Sequence, residues 1–188
     1  MAQLFYKYGT MNAGKSLNLL AIAHNYEEQG KKVLILTSKL DNRSGIGTVS
    51  SRVGIRRPAI PIDETTDIVE LVDNAGPIDA VLIDEAQFMT YDNVIDCVCV
   101  VDYRKIPVIC FGLKSDFAGN LFTGSKALFE NADKIEEIKT VCQWCNKKAT
   151  MNLRTENGHP VYIGDNIQIG DSEYISVCRY HYYQPTIE

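Results

Sequence analysis

Apolar residues in this chain cluster in short continuous runs rather than alternating with polar ones. VLILT from Val33, AVLI from Ala80 and PVICFGL from Pro107 each suit a strand buried on both faces. A shorter strand is predicted from Gln3 to Tyr8. Between the runs the spacing becomes helical. Leu19, Ile22, Ala23 and Tyr26 share one face of a helix expected from Lys15 to Gln29 and stopped by Gly30. Thr66 is placed to cap a helix from Asp67 to Asn74, closed by Gly76 and Pro77, and further helices are expected from Asp92 to Tyr103 and from Ser125 to Asn131. Strand, glycine-rich turn, helix, strand is the opening of an α/β fold with a parallel sheet. Residues 38–62 are rich in Ser, Gly and Arg with little periodicity, which predicts a long loop. After Ile138 the pattern changes to short β segments around two cysteine-bearing turns. The chain is accordingly divided into a core, residues 1–138, and a small β-rich region, residues 139–188, with the boundary near Lys139.

Length and charge narrow the reading. The 188 residues suffice for one α/β domain with a small appendage. With 24 acidic against 19 basic residues the net charge is −5, and no basic tract stands out. Clustered Lys and Arg are what phosphate-backbone binding requires, so nucleic acid is not the expected partner. No stretch is long and apolar enough to span a bilayer, and the N-terminus lacks the apolar centre of a signal peptide. A cytoplasmic protein with no membrane partner is expected. Its six cysteines then read as metal ligands or buried thiols rather than disulfides.

The first chemistry-bearing motif is Gly9-Thr10-Met11-Asn12-Ala13-Gly14-Lys15-Ser16, which fits G-x-x-x-x-G-K-S/T at every fixed position. Glycines let the backbone curl so that successive N–H groups face phosphate oxygens, and the following helix adds the positive end of its dipole. Lys15 is expected on the β and γ phosphates of ATP, and Ser16 on Mg²⁺. The placement between a strand and a helix separates this motif from a chance match.

The second is the strand Val81-Leu82-Ile83 ending in Asp84-Glu85. An Asp at such a strand tip holds magnesium in P-loop proteins, which makes Asp84 the second magnesium candidate. Glu85, one residue on, can serve as base for an attacking hydroxyl. If that group is water the protein is an ATPase, and if it is a substrate alcohol the protein is a kinase. A DNA-stimulated motor ATPase is the first alternative, and a zinc-ribbon binding module that only senses nucleotide is the second.

The third constellation is Cys142-Gln143-Trp144-Cys145 with Cys178-Arg179-Tyr180-His181, two knuckles of equal spacing. Three thiolates and one imidazole suit tetrahedral Zn²⁺ with no open position, so the zinc is expected to be structural. A redox dithiol at Cys142 and Cys145 is the rival, and it leaves Cys178 and His181 without a role. Cys97, Cys99 and Cys110 read as buried thiols, and His24 and His159 as structural or solvated.

GTMNAGKS, VLIDEAQF, GLKSDF, CQWC and CRYH, in this order from Gly9 to His181, together resemble the zinc-containing thymidine kinases. The resemblance implies a P-loop core like that of RecA with a zinc-bearing lasso domain. It implies transfer of the ATP γ-phosphate to the 5′-hydroxyl of thymidine, deoxyuridine being a possible second substrate. Glu85 matches the catalytic base. Gly9 to Ser16, Arg43, Asp84, Glu85, Ala86 and Gln87 fall at the ATP site, with Arg43 approaching the transferring phosphate. Met11, Phe88, Leu113, Phe117, Phe122 and Tyr174, with the backbone near Ile169 and Gly170, correspond to the nucleoside pocket. Asn152 stands where other members carry threonine, and His181 where some carry cysteine. The resemblance also implies a homotetramer and feedback inhibition by thymidine triphosphate.

Overall fold

Six parallel strands, in the order β5-β2-β6-β7-β1-β8, carry the site on their carboxyl-terminal edge in the computed structural model, which describes residues 1–41, 45–164 and 173–185. The chain runs β1 (Leu4–Tyr8), α1 (Lys15–Glu28), β2 (Val33–Ser38), β3 (Thr48–Ser50), β4 (Arg56–Pro58), β5 (Ile60–Ile62), α2 (Ile68–Asn74) and β6 (Ala80–Asp84). A 3₁₀ turn (Ala86–Phe88) leads to α3 (Tyr91–Cys99), β7 (Val108–Gly112), α4 (Thr123–Asn131) and β8 (Lys134–Glu137). A separate antiparallel sheet follows, built of β9 (Met151–Glu156), β10 (His159–Val161) and β11 (Glu173–Val177) in the order β10-β9-β11, before α5 (Arg179–Tyr183).

The apolar runs become central strands because both faces are covered. Every residue of β6 and β7 is buried. Val81 and Ile83 pack on one side with Val94, Cys97 and Leu128 of α3 and α4, whereas Leu82 packs on the other with Leu19, Leu20 and Ala23 of α1. A strand side chain buried this fully contributes roughly 2 kcal/mol by area. The two helical layers thus fix the sheet from both faces.

Several expectations need correction. Residues 38–62 are not a structureless loop among the described residues: β3 and β4 form a hairpin and β5 pairs in parallel with β2. Three-residue strands are too short to show a period, and Pro61 is tolerated in β5 because that strand is an edge. Asp67, not Thr66, caps α2, its carboxylate accepting from the Glu70 N–H at 2.8 Å, while Thr66 Oγ1 donates to Asp63. The helix expected to Tyr103 is α-helical only to Cys99 and continues as a π turn (Val100–Arg104), closed by Lys105 in the left-handed region (φ 59°). Strand β8 has a mostly exposed, polar sequence, Lys-Ile-Glu-Glu, that carries no strand pattern.

Helix α4 lies directly on the turn after β6. A Cβ on Gly124 would sit 2.5 Å from the Ala86 carbonyl oxygen and 2.8 Å from that of Met89. Gly124→Ala is therefore expected to destabilise the fold by about 1–3 kcal/mol, read by denaturant unfolding; an unchanged midpoint would show that the turn yields freely.

Candidate active site

The loop between β1 and α1 is shaped by two left-handed residues, Asn12 (φ 64°) and Gly14 (φ 83°). A side chain at the second would strain the backbone. Among the described residues no side chain caps the start of α1, and its first turn carries no acid, which suits the positive end of this 14-residue helix to an anion. Lys15 is buried and turns back over the loop, its Nζ donating to the Thr10 carbonyl at 2.8 Å. An ammonium held over the loop by backbone carbonyls is well placed to exchange them for phosphate oxygens.

Ser16 Oγ donates to Asp84 Oδ2 at 2.7 Å, joining the start of α1 to the end of β6. Burial, and then the neighbouring Glu85 charge, push the Asp84 carboxyl well above the usual carboxylate range, although the Ser16 hydrogen bond pulls the other way. Two adjacent buried carboxylates and a hydroxyl form an all-oxygen set with excess negative charge, which fits Mg²⁺. Glu85 itself lies in the left-handed region (φ 52°, ψ 36°), a costly conformation of about 1–2 kcal/mol for a residue with a Cβ. It is locked there by Gln87, whose Nε2 donates to Glu85 Oε2 at 2.5 Å and whose Oε1 accepts from the Leu113 N–H at 3.0 Å. Ala86 and Gln87 are buried, so they brace this turn from beneath.

A cleft of about 520 Å³ collects Met11, Asn12, Gly14, Lys15, Ser16, Glu85 and Leu113. It is also lined by Asp41 and by Ser50 to Val53 of the β3–β4 hairpin, which the sequence pattern did not single out. The short turn at Ser51-Arg52-Val53-Gly54 was the available signal. The aromatics gather near the same end of the sheet. Phe88 and Phe122 meet edge to face with centroids 5.7 Å apart. Phe117 is buried beneath the Arg154 guanidinium, 5.0 Å from its ring centre, a contact the sequence did not reveal. Tyr174 is half-buried on β11, opposite Arg154 in the strand pairing. Arg43, Ile169 and Gly170 lie outside the described residues.

Cys142, Cys145, Cys178 and His181 converge, all four ligand atoms within 4.8 Å of one another. A tetrahedral site with Zn–S of about 2.3 Å requires S···S separations of about 3.8 Å. The Cys145 and Cys178 sulfurs are 3.8 Å apart, and His181 Nδ1 lies 3.3 Å from Cys142 Sγ and 3.5 Å from Cys178 Sγ. The residues fit zinc. Burial pushes the Cys142 thiol up, but N–H donors of Cys178 and Trp144 and the His181 ring outweigh it and bring it down to about 6, favouring the thiolate. All six cysteines are free, Cys97 and Cys110 buried and Cys99 half-buried, and His24 and His159 are exposed. The purified protein is expected to carry about one zinc per chain, and chelation to lower its melting temperature by roughly 5 °C or more. A metal-free protein whose melting ignores chelators would contradict this site.

The chain matches the thymidine kinase family over residues 2–182. It is 60% identical, over 189 aligned positions covering 100% of both chains, to the thymidine kinase of Streptococcus pyogenes serotype M28. The thymidine kinase of Streptococcus agalactiae serotype Ia is equally similar, again 60% over the whole of both chains. A crystal structure of Bacteroides Pif1 bound to single-stranded DNA superposes with a TM-score of 0.40 at 15% identity, covering 73% of this chain and 38% of that one, a likeness too slight to bear on chemistry. With a phosphate loop, an acidic strand end and a Cys/His cluster in one ordered arrangement, this chain belongs to the thymidine kinase family.

Proposed function

We propose that this thymidine kinase phosphorylates its nucleoside with Glu85 as base, in the cleft between the phosphate loop and the β6 turn. The observation that carries the reading is the meeting of Lys15, Ser16 and Glu85 on one cleft wall, with Ser16 bonded to Asp84 at 2.7 Å. ATP binds with its phosphates on residues 9–16. Lys15 gives up its bond to the Thr10 carbonyl and moves its charge onto the phosphates. Ser16 and Asp84 hold Mg²⁺, which when bound neutralises phosphate charge. Thymidine occupies the space bounded by Met11, Leu113, Phe88, Phe117, Phe122 and Tyr174.

In the reaction Glu85 accepts the 5′-hydroxyl proton as that oxygen bonds to the γ-phosphorus, and the bond to the β-γ bridging oxygen breaks to release ADP. Most of the rate comes from positioning and charge stabilisation. The Gln87 hydrogen bond and the left-handed backbone at Glu85 hold the carboxylate in advance of substrate. The separate hydrogen bonding of the two sheets supports a division into a kinase core, residues 1–138, and a lasso region, residues 139–188. Zinc at the four-residue cluster serves the second region structurally. Two further properties that the family resemblance implies, a homotetramer and inhibition by thymidine triphosphate, belong to the same proposal. The free cysteines, with ATP as substrate, support a cytoplasmic enzyme, and among the described residues no helix is long and apolar enough to cross a membrane.

Labelled ATP, magnesium and a nucleoside panel test this directly: thymidine is expected to give labelled monophosphate, and purine nucleosides none. Glu85→Gln is expected to lower kcat by about 10²- to 10⁴-fold with ATP affinity nearly unchanged. A variant that turns over normally would remove Glu85 as base.

A further inference from the structure

Two side chains of the small sheet grip a single residue of the phosphate loop, Met11, one on each of its two flanking peptides. Asn152 Oδ1 accepts from the Met11 N–H at 2.8 Å, and Ser176 Oγ donates to the Met11 carbonyl. Asn152 and Ser176 are directly opposite each other in the β9–β11 pairing, so their side chains emerge together on one face. Both are buried, at 4% and 8% exposure. The asparagine is itself held, its Nδ2 donating to the Ser115 carbonyl at 3.1 Å. That carbonyl lies on the segment following β7, so the grip is anchored to the large sheet as well.

We propose that Asn152 and Ser176 are positioning residues for ATP: acting through Met11, they fix the phosphate loop in its phosphate-binding shape. This rests on the phosphate-loop reading above and adds to it a dependence of nucleotide affinity on the second sheet. The reason is geometric. Met11 is followed by the left-handed Asn12 and, two residues later, by the left-handed Gly14, so its peptide orientation sets where the loop's curl begins. With both polar groups of Met11 held by side chains, this residue is kept from rotating and the curl of residues 12–16 is formed before nucleotide arrives. Preorganisation of that kind appears as affinity, because less ordering remains to be paid on binding. The Cys/His cluster belongs to the same scaffold: Cys178 directly follows β11, and the Gln143 N–H between the first two cysteines bonds the Ser176 carbonyl at 3.0 Å.

The test is the dissociation constant of a non-hydrolysable ATP analogue with magnesium, measured on the full chain with zinc present. Asn152→Ala and Ser176→Ala are each expected to weaken it by about tenfold, since each takes a side-chain partner from a backbone group of the half-buried Met11. The double variant is expected to lose less than the product of the two, because both hold the same residue. Ser176→Thr, which keeps the hydroxyl, should restore most of the serine loss. Ile175→Ala removes packing from the same sheet without touching Met11. It should lower the melting temperature and leave the analogue's affinity in place. Unchanged affinity in both alanine variants, or an equal loss in Ile175→Ala, overturns the proposal. Failure of the unsubstituted protein to bind the analogue would instead overturn the phosphate-loop reading on which it stands.

Discussion

The backbone of Leu113, just beyond β7, is the point on which the site depends. Its N–H is taken by Gln87, and its carbonyl accepts from the Tyr6 hydroxyl at 2.7 Å and from Ser125 Oγ at 2.6 Å. One buried residue thereby ties together β1, which leads into the phosphate loop, the turn after β6, which carries Glu85, and α4, which presses on that turn. Tyr6, Gln87 and Ser125 are almost fully buried, so each bond lost would leave an unpaired group at a cost of about 1–3 kcal/mol. Burial pushes the Tyr6 phenol well above its ordinary range, keeping the O–H proton that this bond requires. The left-handed Glu85 is tolerated because this network over-determines it, and the strain is local to the residue proposed as base.

A second feature follows from the strand order. Strands β1 and β6 are separated by β7, and the residues after all three strands open onto one edge of the sheet. A crevice at the carboxyl ends of parallel strands is the general place for a ligand in such sheets. The phosphate loop and the acidic pair are seventy-odd residues apart in the chain, yet Ser16 and Asp84 are in hydrogen-bond contact. The small sheet closes the arrangement from another direction through Met11, and α5 does so through the Tyr182 hydroxyl, which donates to the Phe117 carbonyl at 2.6 Å.

Much of this was legible in the chain. Central strands announced themselves because burial on both faces demands continuous apolar runs, and the phosphate loop because its backbone geometry demands glycine at fixed spacing. The metal cluster was legible because two knuckles of equal spacing leave few other readings. Hidden features depend on long-range register. Nothing local to Asn152 or Ser176 says that they face each other across a strand pair or that Met11 lies between them. Arg154 over Phe117 is likewise a product of folding, and Gln87 reads locally as an ordinary polar residue after a strand. The strands β3, β4, β5 and β8 were missed because three or four residues at a sheet edge, partly exposed, carry neither period nor apolar run.

The central claim is that the Glu85 carboxylate, held by Gln87, meets the nucleoside alcohol on the far side of the γ-phosphate from ADP. A crystal structure with thymidine, magnesium and a non-hydrolysable ATP analogue measures this most directly. The account predicts a Glu85 oxygen about 2.6–3.2 Å from the 5′-oxygen, with that oxygen in line with the γ-phosphorus and the bridging oxygen. A 5′-oxygen bonded to another side chain, with Glu85 turned away from it, would contradict the account.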